Sequence, residues 1–98
     1  MDGRYEGAKV YVFTGPQADF PGGVFSSRDT AERWIESHKL TGTLTAYPVD
    51  QGVYEWAVER GFFRPSKPEH SSPRFIARFS AAQQEHYHYE DGTRESNF

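Results

Sequence analysis

Two histidines separated by one residue, His86 and His88, are the residues of this 98-residue chain whose type and spacing most suggest chemistry. In a β-strand, residues two positions apart point to the same face, so both imidazoles can approach one metal ion. A metal site needs at least a third ligand, and the candidates are His38, His70 and the carboxylate of Glu90. The alternative, which we favour, is a half-buried sheet face whose side chains form hydrogen bonds. The sequence therefore predicts no metal ion and no other cofactor, and it leaves His86 and His88 as weak candidates for metal ligands.

The chain lacks the other residue groupings that carry catalysis. It has no cysteine, which excludes disulfides, thiolate zinc sites, iron–sulfur clusters and a cysteine nucleophile. Gly22 and Gly23 precede a helix without the lysine of a phosphate-binding loop. The serines Ser26, Ser27 and Ser72 are better explained as helix caps than as nucleophiles. An enzyme is accordingly less favoured than a binding protein.

Charge is distributed unevenly along the chain. The formal net charge is −3 and the isoelectric point is near 5.7, so the basic footprint of a nucleic-acid-binding protein is missing. Between Arg60 and Arg78, however, five basic residues accompany one acid, whereas residues 79–98 contain four acids and one base. Such a distribution is most often ordinary solubilising charge. Its functional interpretation is a charged surface that recognises a protein partner and steers its approach. The binding residues predicted from charge, strand position and aromatic character are Tyr54, Arg64, Lys67, Glu85, His86, His88 and Glu90.

Short apolar runs bounded by glycine and proline predict the strands that position these residues. Residues 9–13 are β-branched and aromatic and stop before a Gly-Pro pair, which is typical of a central strand. A short run follows at 24–26, and residues 43–47 form a second long strand ended by Pro48. Residues 85–90 alternate strictly, which places the tyrosines on one face and the histidines on the other. We expect a small sheet of three to four strands.

The most clearly marked helix begins at Ser26 or Ser27, where Ser26 and Asp29 are spaced as in a capping box. Gly42 is predicted to end it. Its apolar face includes Trp34, which we expect to lie in the core. The residues that share this face are Ala31, Trp34, Ile35 and His38.

Two further helices are predicted downstream. Asp50 caps the second helix, and Gly61 ends it in the left-handed conformation. The third begins at Ser72 and Pro73, although residues 73–82 also alternate as a strand would. The fold class is therefore α+β, with a small sheet covered by two or three helices in a single layer.

The length of the chain supports one domain only. Residues 8–90 are predicted to form it, and the polar ends, 1–7 and 91–98, are predicted to be disordered tails. Aromatic residues make up 16% of the chain, so the core is expected to be built on rings. No apolar run approaches the roughly 20 residues of a membrane span, and the N-terminus lacks the features of a signal peptide. We expect a cytoplasmic protein without membrane contact.

Several motifs together resemble a family of small, uncharacterised bacterial domains. The resemblance implies no activity and no catalytic residues. It extends over nearly the whole domain, in the segments FPGGVFSS (20–27), AExWI (31–35), HKLTG (38–42), YPxDxGVYEWA (47–57) and QEHYHY (84–89).

Small acidic bacterial domains without catalytic motifs are often immunity proteins that neutralise a toxin, or adaptor modules. The hypothesis is therefore a protein-binding module of one of these types, with a toxin as a candidate partner. The alternative is a small metal-binding protein or enzyme that uses His86 and His88.

Overall fold

The computed structural model describes residues 8–95, so the predicted tail at 1–7 lies outside the described residues. Five strands and three α-helices follow one another along the chain. They are β1 (Lys9–Thr14), β2 (Gly23–Phe25), α1 (Arg28–His38), β3 (Gly42–Pro48), α2 (Val53–Glu59), α3 (Pro73–Ala77), β4 (His86–Glu90) and β5 (Thr93–Arg94), with a short 3₁₀ helix (Pro68–Ser71) before α3. None of the helices within this range is long and apolar enough to cross a membrane.

The sheet is antiparallel throughout, with the strand order β2-β1-β3-β4-β5. The α+β class is confirmed, but the predicted count of three to four strands is wrong, because the sheet has five. The fifth strand lies beyond Glu90, in the segment predicted to be a tail. Asp91 and Gly92 join it to β4, with φ of 51° and 87°. An Asp-Gly pair between two strands is a strong signal for a two-residue hairpin, and here both residues have positive φ.

Helix α1 begins at the second of its two predicted caps and ends before the predicted glycine. Its N-cap is Ser27, whose hydroxyl accepts a hydrogen bond from the Thr30 N–H at 3.2 Å, so a start at Ser26 is wrong. Its C-cap is Lys39, which adopts the left-handed conformation with φ of 57°. Gly42 was predicted to end the helix, and this is also wrong, because Gly42 is the first residue of β3. A Cβ at Gly42 would lie 2.5 Å from the Thr14 carbonyl oxygen, so this position needs glycine for the close approach of β1.

Helix α2 has the predicted end and a different beginning. The predicted cap, Asp50, is wrong, because the helix starts at Val53 with Gly52 as its N-cap and Asp50 lies in the preceding turn with φ of 61°. At the other end, Gly61 has the predicted left-handed conformation, with φ of 78°. The Phe62 N–H donates to the Ala57 carbonyl at 2.8 Å, which completes a Schellman motif.

The segment that begins at Ser72 forms a helix, which is the alternative that we preferred to a strand. The Ser72 hydroxyl accepts a hydrogen bond from the Phe75 N–H at 3.1 Å, and Pro73 occupies the first helical position. This arrangement satisfies the free backbone donors at the start of the helix.

The core lies between α1 and one face of the sheet. Ala31 and Ile35 of α1 are fully buried there against strand residues. Trp34 is half-buried and packs edge-on against Phe13, with ring centroids 5.5 Å apart, and against Phe25 at 5.2 Å. The strand residues of this core are Tyr11, Phe13, Leu44, Ala46 and Tyr89.

A second group of rings packs in the long connection between β3 and β4. We call residues 53–79 the aromatic lobe. Its central ring is Phe63, whose centroid lies 5.0 to 6.0 Å from those of its four partners. Those partners are Tyr54, His70, Phe75 and Phe79. The predicted ring-built core is thus divided into two clusters, only one of which lies under α1.

Candidate binding surfaces

The face of the sheet opposite α1 has no buried residue. Along β1, β3 and β4 the side chains alternate between the buried core and this second face, where every side chain is half-buried or exposed. We call it the open face. Its members are Val10, Val12, Thr14, Val24, Thr43, Thr45, Tyr47, His86, His88 and Glu90.

One half of the open face is apolar. Val12 lies opposite Val24 of β2, and Val10 lies opposite Tyr47 of β3. Val24 is 64% exposed and Tyr47 is 37% exposed. A solvated sheet face usually carries polar side chains, so this half is unusual in leaving valines and a tyrosine accessible.

The other half of the open face is formed by β4. His86, His88 and Glu90 are all exposed on it, which confirms that the histidines and tyrosines of this strand occupy opposite faces. The two imidazole centroids are 5.3 Å apart. His88 Nδ1 lies 3.3 Å from the hydroxyl oxygen of Thr43, and His86 Nδ1 lies 2.7 Å from the Gln84 carbonyl oxygen. These contacts fit the hydrogen bonding of the sheet face that we favoured, but the two histidines are exposed and not half-buried as expected.

A third metal ligand does not join the two histidines. Within the described part of the chain, no group of three or more histidine and acidic side chains is arranged to hold a metal ion. His70 instead belongs to the aromatic lobe, where its Nδ1 accepts hydrogen bonds from the backbone N–H groups of Ser66 at 3.0 Å and Lys67 at 3.2 Å. His38 packs its ring against Trp34 of the same helix.

Glu85 lies apart from the other acidic candidate, Glu90, because its side chain is on the α1 side of the sheet. Its carboxylate accepts hydrogen bonds from Lys9 Nζ at 2.7 Å, from the Tyr11 hydroxyl at 3.3 Å and from the Tyr87 hydroxyl. Burial raises the pKa of Glu85, but the hydrogen bonds from Lys9 and Tyr87 outweigh it, so the net pKa lies below the ordinary value. Glu85 is therefore an ionised group that joins β1 to β4.

A cleft of about 280 Å³ lies between α1 and the β4–β5 hairpin. Tyr89, at its base, donates a hydrogen bond from its hydroxyl to Glu32 Oε2 at 2.5 Å. The guanidinium groups of Arg28 and Arg94 lie 4.7 and 5.4 Å from the ring centre of Tyr87, at cation–π distance. Sequence reasoning missed this cleft, because its two arginines come from elements that only folding brings together.

The remaining predicted residues belong to the aromatic lobe. Tyr54 is half-buried, and its ring contacts Phe63 and Phe79, so it supports the lobe from within. Arg64 and Lys67 are exposed on the same lobe. The predicted binding residues therefore divide between the lobe, the open face and the contacts of Glu85 on the α1 side of the sheet, and they do not form one site.

Comparisons with known proteins complete this description. No curated protein and no solved structure shows significant similarity to the chain. One family model, that of a domain of unknown function, matches residues 10–95 and includes both the open face and the aromatic lobe. The expected membership of a family of uncharacterised small domains is thus confirmed, and the chain belongs to the DUF7710 family.

Proposed function

We propose that this protein is a small protein-binding module that docks its partner on the open face of the sheet. The observation that carries the proposal is that, within residues 8–95, no side chain on that face is buried, although one half of the face is apolar. The four apolar side chains are Val10, Val12, Val24 and Tyr47. Covering such a patch releases water from apolar surface, which is the main favourable term in association.

Tyr47 is the residue that we expect to anchor the partner. It is 37% exposed at the end of β3, and its neighbour across the strand is Val10. Tyrosine combines apolar area with a hydroxyl, and it is enriched at the energetic centres of interfaces. The polar row of His86 and His88 beside it supplies hydrogen bonds at the rim of the contact.

The specific role that we propose is that of a bacterial immunity-type or adaptor protein, acting in the cytoplasm. A domain of this size with an acidic composition and no catalytic grouping is well suited to neutralising another protein, such as a toxin, by covering its surface. This part of the proposal rests on the type of protein rather than on a site.

The test is capture of partners from the cells that make the protein, followed by mass spectrometry and a binding titration with the recovered partner. The variant Val24→Glu with Tyr47→Lys keeps the net charge and removes the apolar half of the open face. We expect it to lose the partner, with a reduction in affinity of at least about tenfold, because hot-spot truncations cost 2 kcal/mol or more.

The matched control exchanges two exposed charges on α1, Arg33→Glu with Glu36→Arg, on the opposite side of the molecule. It also keeps the net charge, and it should bind the partner like the parent. Circular dichroism of both variants establishes that they are folded. Equal partner binding by the parent and the open-face variant would contradict the proposed docking face.

A further inference from the structure

Basic residues are concentrated on the aromatic lobe. Residues 60–78 carry five basic side chains and one acid, whereas the rest of the chain carries six basic and thirteen acidic residues. The five basic residues are all exposed. They are Arg60, Arg64, Lys67, Arg74 and Arg78.

The packing of the lobe brings these side chains into one region. Phe63, Phe75 and Phe79 contact one another, with ring centroids 5.0 to 5.9 Å apart. Each of these three rings has an exposed arginine as its neighbour in the chain: Arg64 follows Phe63, and the other two phenylalanines are preceded by an arginine each. Three cations are therefore held around one small cluster of rings.

Lys67 is joined to the same cluster of rings through His70, and Arg60 contacts another ring of the lobe, Trp56. The Lys67 N–H donates to His70 Nδ1 at 3.2 Å, and the His70 ring packs on the rings of Phe63 and Phe75. Arg60 lies over the ring of Trp56, with 5.5 Å between its guanidinium carbon and the ring centre. Among residues 8–95, none of the five basic side chains forms an ion pair.

We propose that the basic surface of the aromatic lobe binds an acidic segment of a protein partner. Five exposed cations that form no ion pair within residues 8–95 attract negative charge and steer its approach. The inference rests on the proposed function and specifies the chemistry of the partner. The connection that contains the lobe leaves the sheet after Pro48 and returns to it at His86. The lobe is therefore joined to the sheet at the end where Tyr47 lies. One partner can thus contact both surfaces.

An acidic protein segment fits this surface better than a nucleic acid. The excess of seven acids in the remainder of the chain repels a long polyanion as it extends beyond the lobe. A short acidic segment neutralises the lobe without reaching the acidic regions. The rings of Phe63, Phe75 and Phe79 pack against one another, so these three are not free to stack on bases as in single-strand binders.

The probe for the experiment is a fluorescein-labelled peptide of about fifteen residues with glutamate at every second position, measured by fluorescence anisotropy against the full chain at about 50 mM salt. We expect saturable binding that weakens as the salt is raised. The variant Arg64→Gln with Arg74→Gln should weaken it about tenfold, since exposed ion pairs each contribute up to a factor of several. The control Arg33→Gln with Lys39→Gln lowers the net charge equally and should stay within about twofold.

Three results would overturn the inference: no binding of the peptide, equal weakening by the two double variants, or tighter binding of a single-stranded RNA of similar length. The open-face variant Val24→Glu with Tyr47→Lys separates this inference from the proposed function. It should bind the acidic peptide like the parent, because its net charge and its lobe are unchanged. If the peptide does not bind but the open-face variant still loses the captured partner, only the inference about the lobe fails.

Discussion

The Tyr89 hydroxyl donates a hydrogen bond to Glu32 Oε2 at 2.5 Å, and this bond joins the last long strand to α1 across 57 positions of the chain. Tyr89 is only 3% exposed, whereas the Glu32 side chain is 31% exposed, so the bond is partly buried. Its neighbour Arg28 approaches the same carboxylate oxygen, with Nε at 3.8 Å. The strand that carries the candidate histidines on its open face is thus fixed to the core helix through its other face.

The variant Tyr89→Phe should lower the free energy of unfolding by about 1 to 2 kcal/mol, because it removes a hydrogen bond to a charged group and retains the ring. Urea denaturation measures this change. Tyr47→Phe is the control, since Tyr47 is exposed and its change should be within about 0.5 kcal/mol. Equal effects of the two substitutions would show that the bond to Glu32 does not stabilise the fold.

The same bond predicts a loss of stability in alkali. Burial raises the pKa of Tyr89, and the hydrogen bond to Glu32 raises it further. A raised pKa in the folded state means that the contribution is complete below the unfolded value of about 10 and is lost as the pH rises above it. The parent should therefore lose stability above about pH 10 more steeply than Tyr89→Phe does. Parallel curves of unfolding free energy against pH would contradict this.

The carboxylate of Glu85 predicts that the protein loses stability at low pH, in contrast to the loss in alkali predicted from Tyr89. Its pKa is lowered in the folded state: burial raises it, but the hydrogen bonds from Lys9, Tyr87 and Tyr11 lower it more. Its contribution is present above the unfolded value of about 4.3 and is lost as the pH falls through the folded pKa. The difference in stability between the parent and Glu85→Gln should be largest near neutral pH and shrink below about pH 4. Glu90→Gln, at an exposed position of β4, is the control and should change stability less than Glu85→Gln does at neutral pH.

Much of the fold could be predicted from local sequence patterns, and the wrong predictions also have local causes. The strict alternation of β4 correctly predicted which face its histidines occupy. Ser72 and Pro73 correctly predicted that a helix follows them. The first helix was extended to Gly42 because glycine is the usual left-handed residue, yet Lys39 adopts that conformation in its place. The fifth strand was missed because a polar composition was interpreted as a tail without weighing the Asp-Gly turn. The open face and the cleft depend on which elements pack together, and no local pattern shows which face of the sheet a helix will cover.

The missed hairpin supplies a prediction of its own. Gly92 has φ of 87°, and a Cβ there would lie 3.1 Å from the Cα of Lys39. Gly92→Ala should therefore destabilise the protein by at least about 1 to 2 kcal/mol, the cost of a left-handed conformation for a residue with a side chain. Gly15→Ala is the matched control, because nothing lies within 4 Å of its Cβ position. Thermal melting of the two variants compares them, and an equal melting temperature would mean that the β4–β5 hairpin does not stabilise the domain.

Trp34 was expected to lie in the core, and its ring packs against Phe13 and Phe25. These contacts allow the loss of stability on its truncation to be predicted. Trp34→Ala should lower the free energy of unfolding by about 3 kcal/mol, the lower end of the range for a truncated aromatic, because Trp34 is half-buried. Phe20→Ala, at a ring that is 80% exposed, should change stability by less than about 0.5 kcal/mol. Unchanged stability of Trp34→Ala together with lost partner binding would instead place Trp34 on the recognition surface.

The last prediction separates the binding hypothesis from the metal hypothesis at His86 and His88. The two rings share the open face 5.3 Å apart, but no third ligand joins them within residues 8–95, and two imidazoles alone hold a metal ion weakly. The melting temperature of the untagged protein should therefore be unchanged by a chelator. Calorimetric titration with zinc, nickel or copper should show no tight one-to-one binding.

The variant His86→Ala with His88→Ala decides between the two hypotheses, because each predicts a different loss. If the histidines contribute polar contacts at the rim of the open face, the variant should weaken partner binding. Its own fold should be unaffected, since both side chains are exposed. Tight one-to-one metal binding by the parent that is lost in the variant would overturn this interpretation, because only ligands to a shared ion would produce it.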